Sequence, residues 1–153
     1  MLSDESFSNL LTDTKRALVD WADRYDGAAD IVVEDDPSYW RIHALPAEAS
    51  LCPIELVLRP DRNYDLVIAD ASVEDQPIES FELFTALFAA VAEGEPIVRT
   101  YSSRATMQLL GTTTHVPLPD GTTWHGERLT ALGERLGLDD ALVSERRFAR
   151  YAV

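Results

Sequence analysis

Histidines, hydroxyls and arginines are the residues here with chemistry to offer. His115 and His125 bracket a turn that also holds Asp120, so two imidazoles and a carboxylate can approach one another. Their spacing matches no short helical or strand pairing of metal ligands, and ordinary loop or surface histidines are the preferred reading. Ser102, Ser103 and Arg104 put two hydroxyls and a guanidinium where a strand meets a loop, a place for a small anion or simply a polar turn. Arg99, Arg104, His115 and His125 are therefore the polar groups expected of a ligand-binding or catalytic pocket between sheet and helices. Tyr39, Arg41 and His43 alternate with apolar residues in YWRIHAL and share one strand face. Aromatics and arginine concentrate binding energy at interfaces, so if that sheet face is uncovered Tyr39 and Arg41 are candidate contacts for another protein chain, with a solvated sheet face as the preferred alternative.

Other chemistry is argued against. Cys52 is the only cysteine, so no internal disulfide or multi-cysteine metal site forms. With Glu48 and Glu55 close by, its thiol lacks the electropositive setting of a nucleophile. Glu34, Asp35 and Asp36 lack the spaced carboxylates and glycine of a calcium loop. Nucleophile elbows, phosphate-binding glycine loops and dinucleotide fingerprints are absent from the sequence. No catalytic residue, metal or cofactor is assigned.

Charge divides the chain. Its 153 residues carry a formal net charge of −14, and Met1–Glu93 holds six basic and twenty acidic residues, against seven of each beyond. Lys15 is the only lysine beside twelve arginines. Either codon composition or a saline medium, in which a Debye length of ~3 Å at 1 M screens crowded carboxylates, accounts for this; the saline cytoplasm is the preferred expectation. Near the end stands ERRFARY, Glu145–Tyr151. It has side chains for phosphate contact and base stacking, but the acidic remainder repels a polyanion and no reader motif is present. Nucleic acid is thus an unexpected partner, and the arginines are expected to pair with the protein's own carboxylates.

A first helix spans Glu5–Tyr25, begun at Ser3. Strands follow at Ile31–Glu34, Tyr39–Leu45, Ile54–Arg59 and Tyr64–Ala71, with EDDPS and PDRN as turns, forming an antiparallel meander. Ser80–Glu93 is a second, deeply buried helix, capped by Ser80 and stopped by Gly94. Ile97–Tyr101 and Thr106–Leu110 read as strands and Glu127–Leu136 as a helix, with Leu129, Leu132 and Leu136 inward. Beyond Asp139 a last helix is slightly preferred over an edge strand at Arg147–Val153. The expectation is one α+β domain over residues 1–153, an antiparallel sheet (meander plus further strands) with helices packed on one face. No apolar run is long enough for a bilayer and the start lacks a secretory pattern, so a cytoplasmic location without membrane attachment is expected. The preferred function is a non-enzymatic interaction or accessory domain that binds a protein partner or itself. The alternative is a small-ligand-binding domain or an enzyme.

Overall fold

In the computed structural model, which describes residues 2–153, three helices and nine strands form an α+β fold with two antiparallel sheets. Helix α1 (Asp4–Arg24) starts where Ser3 accepts the Ser6 N–H, with Asp4 and Glu5 at the positive end of its dipole. It buries Thr14, Leu18 and Ala22, a stripe of four-residue steps.

The first sheet is the meander β1 (Asp30–Asp36), β2 (Tyr39–Leu45), β3 (Ile54–Leu58), β4 (Asn63–Ile68) and β5 (Ala71–Pro77), each strand paired with the next. Alternation decides its faces: Trp40, Ile42, Ala44, Ile54, Leu56, Leu58, Leu66 and Ile68 are buried, while Tyr39, Arg41 and His43 are half-exposed on the other side. Two boundaries differ from the sequence expectation. β1 continues through Asp36 and leaves only Pro37-Ser38 as the turn, because full pairing with β2 is available from Asp30↔Leu45 to Asp36↔Tyr39. The apolar run Tyr64–Ala71 is broken by a two-residue turn, Ala69-Asp70, which opens the unexpected β5. Ala69 there holds φ 53°, a conformation costly for a residue with a Cβ and invisible to hydropathy.

Helix α2 (Glu82–Ala92) is the most buried helix, with Phe84, Leu87, Phe88 and Val91 fully inside. Ser80 does not cap it; the N-cap is Phe81, without a side-chain bond. Gly94 ends it at φ 74°, where a Cβ would lie 2.9 Å from the Ala149 carbonyl carbon.

The second sheet has the order β8-β7-β6-β9, from β6 (Ile97–Ser102), β7 (Leu109–Pro117), β8 (Thr123–Leu129) and β9 (Leu142–Arg147). Here the sequence reading fails most. The strand expected at Thr106–Leu110 lies at Leu109–Pro117, and three residues expected in the third helix belong to β8. Helix α3 is only Ala131–Leu136; Leu136 is 63% exposed and Gly133 is the inward residue. A Cβ on Gly133 would fall 1.9 Å from the Leu110 oxygen, so glycine is what lets the helix lie against β7. The tail is neither the expected helix nor an edge strand at Arg147–Val153: the strand is β9, which fills the free edge of β6 from Ile97↔Arg147 to Ser102↔Leu142, and residues 148–153 carry no regular element.

One core joins both helices, the inner face of the meander, Val98 and Val116 of the second sheet, and Phe148 and Tyr151 of the tail. The sheets touch where Gly126 of β8 meets Ala71 of β5; a Cβ on Gly126 would sit 2.5 Å from that of Ala71. No helix among the described residues is long and apolar enough to cross a membrane.

Candidate functional site

The residues singled out in the sequence fall on two outer sheet faces. On the meander, cross-strand pairing sets Glu34 of β1 beside Arg41 of β2, and Glu55 of β3 beside His43. Arg41 donates to Glu34 Oε1 at 3.2 Å and to Glu55 Oε2 at 3.1 Å, and its second nitrogen also lies 3.2 Å from His43 Nδ1. Because arginine only donates, Nδ1 accepts and the His43 proton is assigned to Nε2, which faces Glu55 Oε2 at 3.8 Å. Tyr39 Oη donates to Glu34 at 2.9 Å, and that bond raises the phenol's pKa. Tyr39 and Arg41 are thus brought together through Glu34, held in fixed positions by charge-assisted bonds. Around them Val32, Leu45 and Val67 are exposed.

On the outer face of the second sheet His115 and His125 stand directly opposite in β7 and β8, ring centroids 4.8 Å apart. His115 Nε2 lies 3.0 Å from Thr113 Oγ1, which also meets Tyr101 Oη at 3.3 Å. Burial first, then the neighbouring His125 and Arg99, push the His115 pKa down. Arg99 is on the same face, bonded to Glu145 of β9 at 3.2 Å. Asp120 does not join them: its carboxylate receives the Thr122 N–H at 2.9 Å and hydroxyl at 2.6 Å and shapes the turn. Arg104 lies apart in the β6–β7 turn, 3.4 Å from Asp140. Among the described residues no group of three or more His, Cys, Asp or Glu is placed to hold a metal ion.

ERRFARY is architecture. Arg147 pairs with Glu145 at 3.2 Å, Arg150 with Glu93, and Arg146 donates to the Ala49 carbonyl while lying 4.6 Å above the Phe148 ring. Phe148 and Tyr151 are buried, and the Tyr151 hydroxyl donates to the Cys52 carbonyl. Cys52 is fully buried, and burial pushes its thiol up to about 12, so no thiolate nucleophile forms near neutral pH.

Between the two sheets runs a cleft that the sequence reading missed. Asp70, in the β4–β5 turn, borders two cavities. The one of about 250 Å³ is walled by Leu45, Pro53, Val98, Phe148 and Arg146. The other, about 430 Å³, is lined by Leu109, Gly111, Thr112, Arg128, Leu129 and Thr130 beside Asp70. Thr112 and Arg128 meet there only because β7 and β8 pair Thr112↔Arg128. The expected strand Thr106–Leu110 and helix Glu127–Leu136 do not bring them together. The Pro-Asp-Gly turn flanked by alternating residues was the clue to that hairpin.

Set beside models of known protein families, curated proteins and solved structures, the chain matches none.

Proposed function

We propose that the chain is a non-enzymatic protein-interaction or accessory domain, acting in the cytoplasm through the outer face of the meander. The observation that carries this reading is the uncovered face itself. Both long helices pack on one side of the sheet, and on the other Tyr39 and Arg41 are pre-ordered through Glu34 and Glu55 among exposed Val32, Leu45 and Val67. An ordered arginine and tyrosine with apolar neighbours lose little entropy when a second surface covers them. The occupant we favour is a second copy of the chain, with a different protein partner as the competing outcome.

The acidic surplus is read as a hydrated exterior suited to concentrated salt. Among the described residues the buried polar side chains are Thr14, Thr113 and Thr114, with no aspartate or glutamate. Nucleic acid remains an unexpected partner, since the tail arginines are engaged by the protein's own groups.

The test is light scattering of the wild type and of the Tyr39→Ala/Arg41→Ala double variant at about 2 M salt. The wild type is expected to associate, and the variant to give a monomer mass with an unchanged far-ultraviolet spectrum. A monomeric wild type removes self-association, and equal masses above the monomer for both proteins remove this face as the contact.

A further inference from the structure

Eight of the twelve arginines lie within 4.0 Å of a carboxylate, namely 16, 41, 59, 62, 99, 104, 147 and 150. Three of the other four have a different local role. Arg24 lies over the Tyr25 ring in the last turn of α1, Arg135 is in the last turn of α3, and Arg146 is held by Ala49 and Phe148. Arg128 has none of these supports. In a chain with a net charge of −14, a guanidinium with no carboxylate partner among the described residues faces the 430 Å³ cavity.

Two further features converge on that cavity. Thr112 lines it, and its Oγ1 is buried without a hydrogen-bond partner. An unmade bond of that kind is costly, so a ligand acceptor that reaches the hydroxyl gains by making it. Asp70 borders the same cavity, presented by Ala69 in its left-handed conformation and by the Ala69 N–H bond to the Pro53 carbonyl. Non-glycine residues keep such a backbone only where the surroundings enforce it.

We propose that this cavity binds a small zwitterion bearing a carboxylate and an ammonium group, as a free α-amino acid does. Arg128 takes the carboxylate through its planar fork, Thr112 adds a hydroxyl donor, and Asp70 takes the ammonium. Leu109 and Leu129 supply the apolar wall for the ligand's side chain. A simple anion is disfavoured by Asp70 and a simple cation by Arg128, so the pair selects a ligand carrying both charges. The volume falls within the usual range for small-molecule sites, ~300–1,000 Å³. This site is separate from the outer face of the meander and stands or falls independently of it.

The experiment is isothermal titration of the full chain at about 2 M salt with L-leucine, 4-methylpentanoate and isoamylamine, which carry both charges, the carboxylate alone and the ammonium alone. L-leucine is expected to bind in the millimolar range or tighter, and each single-charge analogue at least tenfold more weakly. Arg128→Gln and Asp70→Asn should each weaken L-leucine at least tenfold with unchanged melting temperature, since both side chains are exposed. Thr112→Val should lower affinity while leaving stability equal or higher, a combination that a merely structural threonine would not give. No heat from any of the twenty amino acids at 10 mM, equal binding of 4-methylpentanoate, or full affinity in Arg128→Gln would each overturn the proposal.

Discussion

The outer face of the meander and the cleft between the sheets use arginine in opposite ways. On the meander, Arg41 sits between Glu34 and Glu55, and Arg59 binds Asp65 and Asp75, the latter at 2.7 Å. That second group also holds the β4–β5 bulge, where Asp65 accepts the Asp75 N–H at 2.7 Å. The Asn63 amide first, and then Arg59, keep the Asp75 carboxyl below its usual range. In the cleft, Arg128 has no such partner among the described residues. The same residue type is structural where acids have been placed around it, and free for an outside ligand where they have not.

The largest loss is expected when the sheets are forced apart. Gly126→Val places side-chain atoms where Ala71 already stands, 2.5 Å from the first of them. The expected cost is about 1–3 kcal/mol, several degrees of melting temperature at this chain length. Thermal denaturation checks it, and an unchanged melting temperature would show that the sheets are not in close contact there. Because the cleft depends on that contact, L-leucine binding should fall in the same variant.

Salt acts next, and unequally. Raising it from 0.1 to 2 M shortens the Debye length from ~10 Å to below ~3 Å, which relieves repulsion within Met1–Glu93 and weakens exposed ion pairs. With twenty acidic residues against six basic ones there, relief wins. The melting temperature should climb by about 5–10 °C, or ~2–3 kcal/mol. A flat profile in a salt series would leave codon composition as the account of the acidic bias.

A finer contrast comes from single arginines. Arg41→Gln leaves Glu34 and Glu55 without their shared cation and should cost about 1 kcal/mol, whereas Arg128→Gln should stay within about 0.5 kcal/mol of wild type. Urea denaturation of the two variants side by side measures the difference. Equal losses would mean that Arg128 has a structural partner after all.

How much of this was legible in the sequence follows from where the information lies. The meander was readable because YWRIHAL and IELVL alternate cleanly over one buried face, and α1 because its apolar residues keep helical spacing. The second sheet was not: β7 contains Thr112, Thr113 and Thr114 in succession, of which Thr113 and Thr114 are buried, so hydropathy gave no period. β9 reads LVSERR, mostly exposed and polar, and is a strand only because β6 offers an edge. Tyr39 and Arg41 could be picked out because their strand was. Asp70, Thr112 and Arg128 could not, since long-range pairing and a left-handed alanine bring them together.

The smallest effect concerns the histidine pair, which tests whether the outer face of the second sheet is as settled as that of the meander. Burial, His125 and Arg99 lower the His115 pKa, opposed by Glu145, so the folded protein binds fewer protons there than the unfolded chain. Stability should therefore rise with pH across the window from the lowered value to 6.5, and be fully recovered above it. The carboxylates of Asp36, Asp75, Asp120 and Glu145 are also held low, but their contribution is lost only as pH falls through their own lowered values. Urea denaturation between pH 5 and 7.5 should accordingly show a slope in the wild type that disappears in His115→Gln. In His125→Gln it should shrink without vanishing, because burial, the largest cause, remains. An identical slope in all three proteins would mean that the two rings do not sense each other and that the pH dependence arises elsewhere.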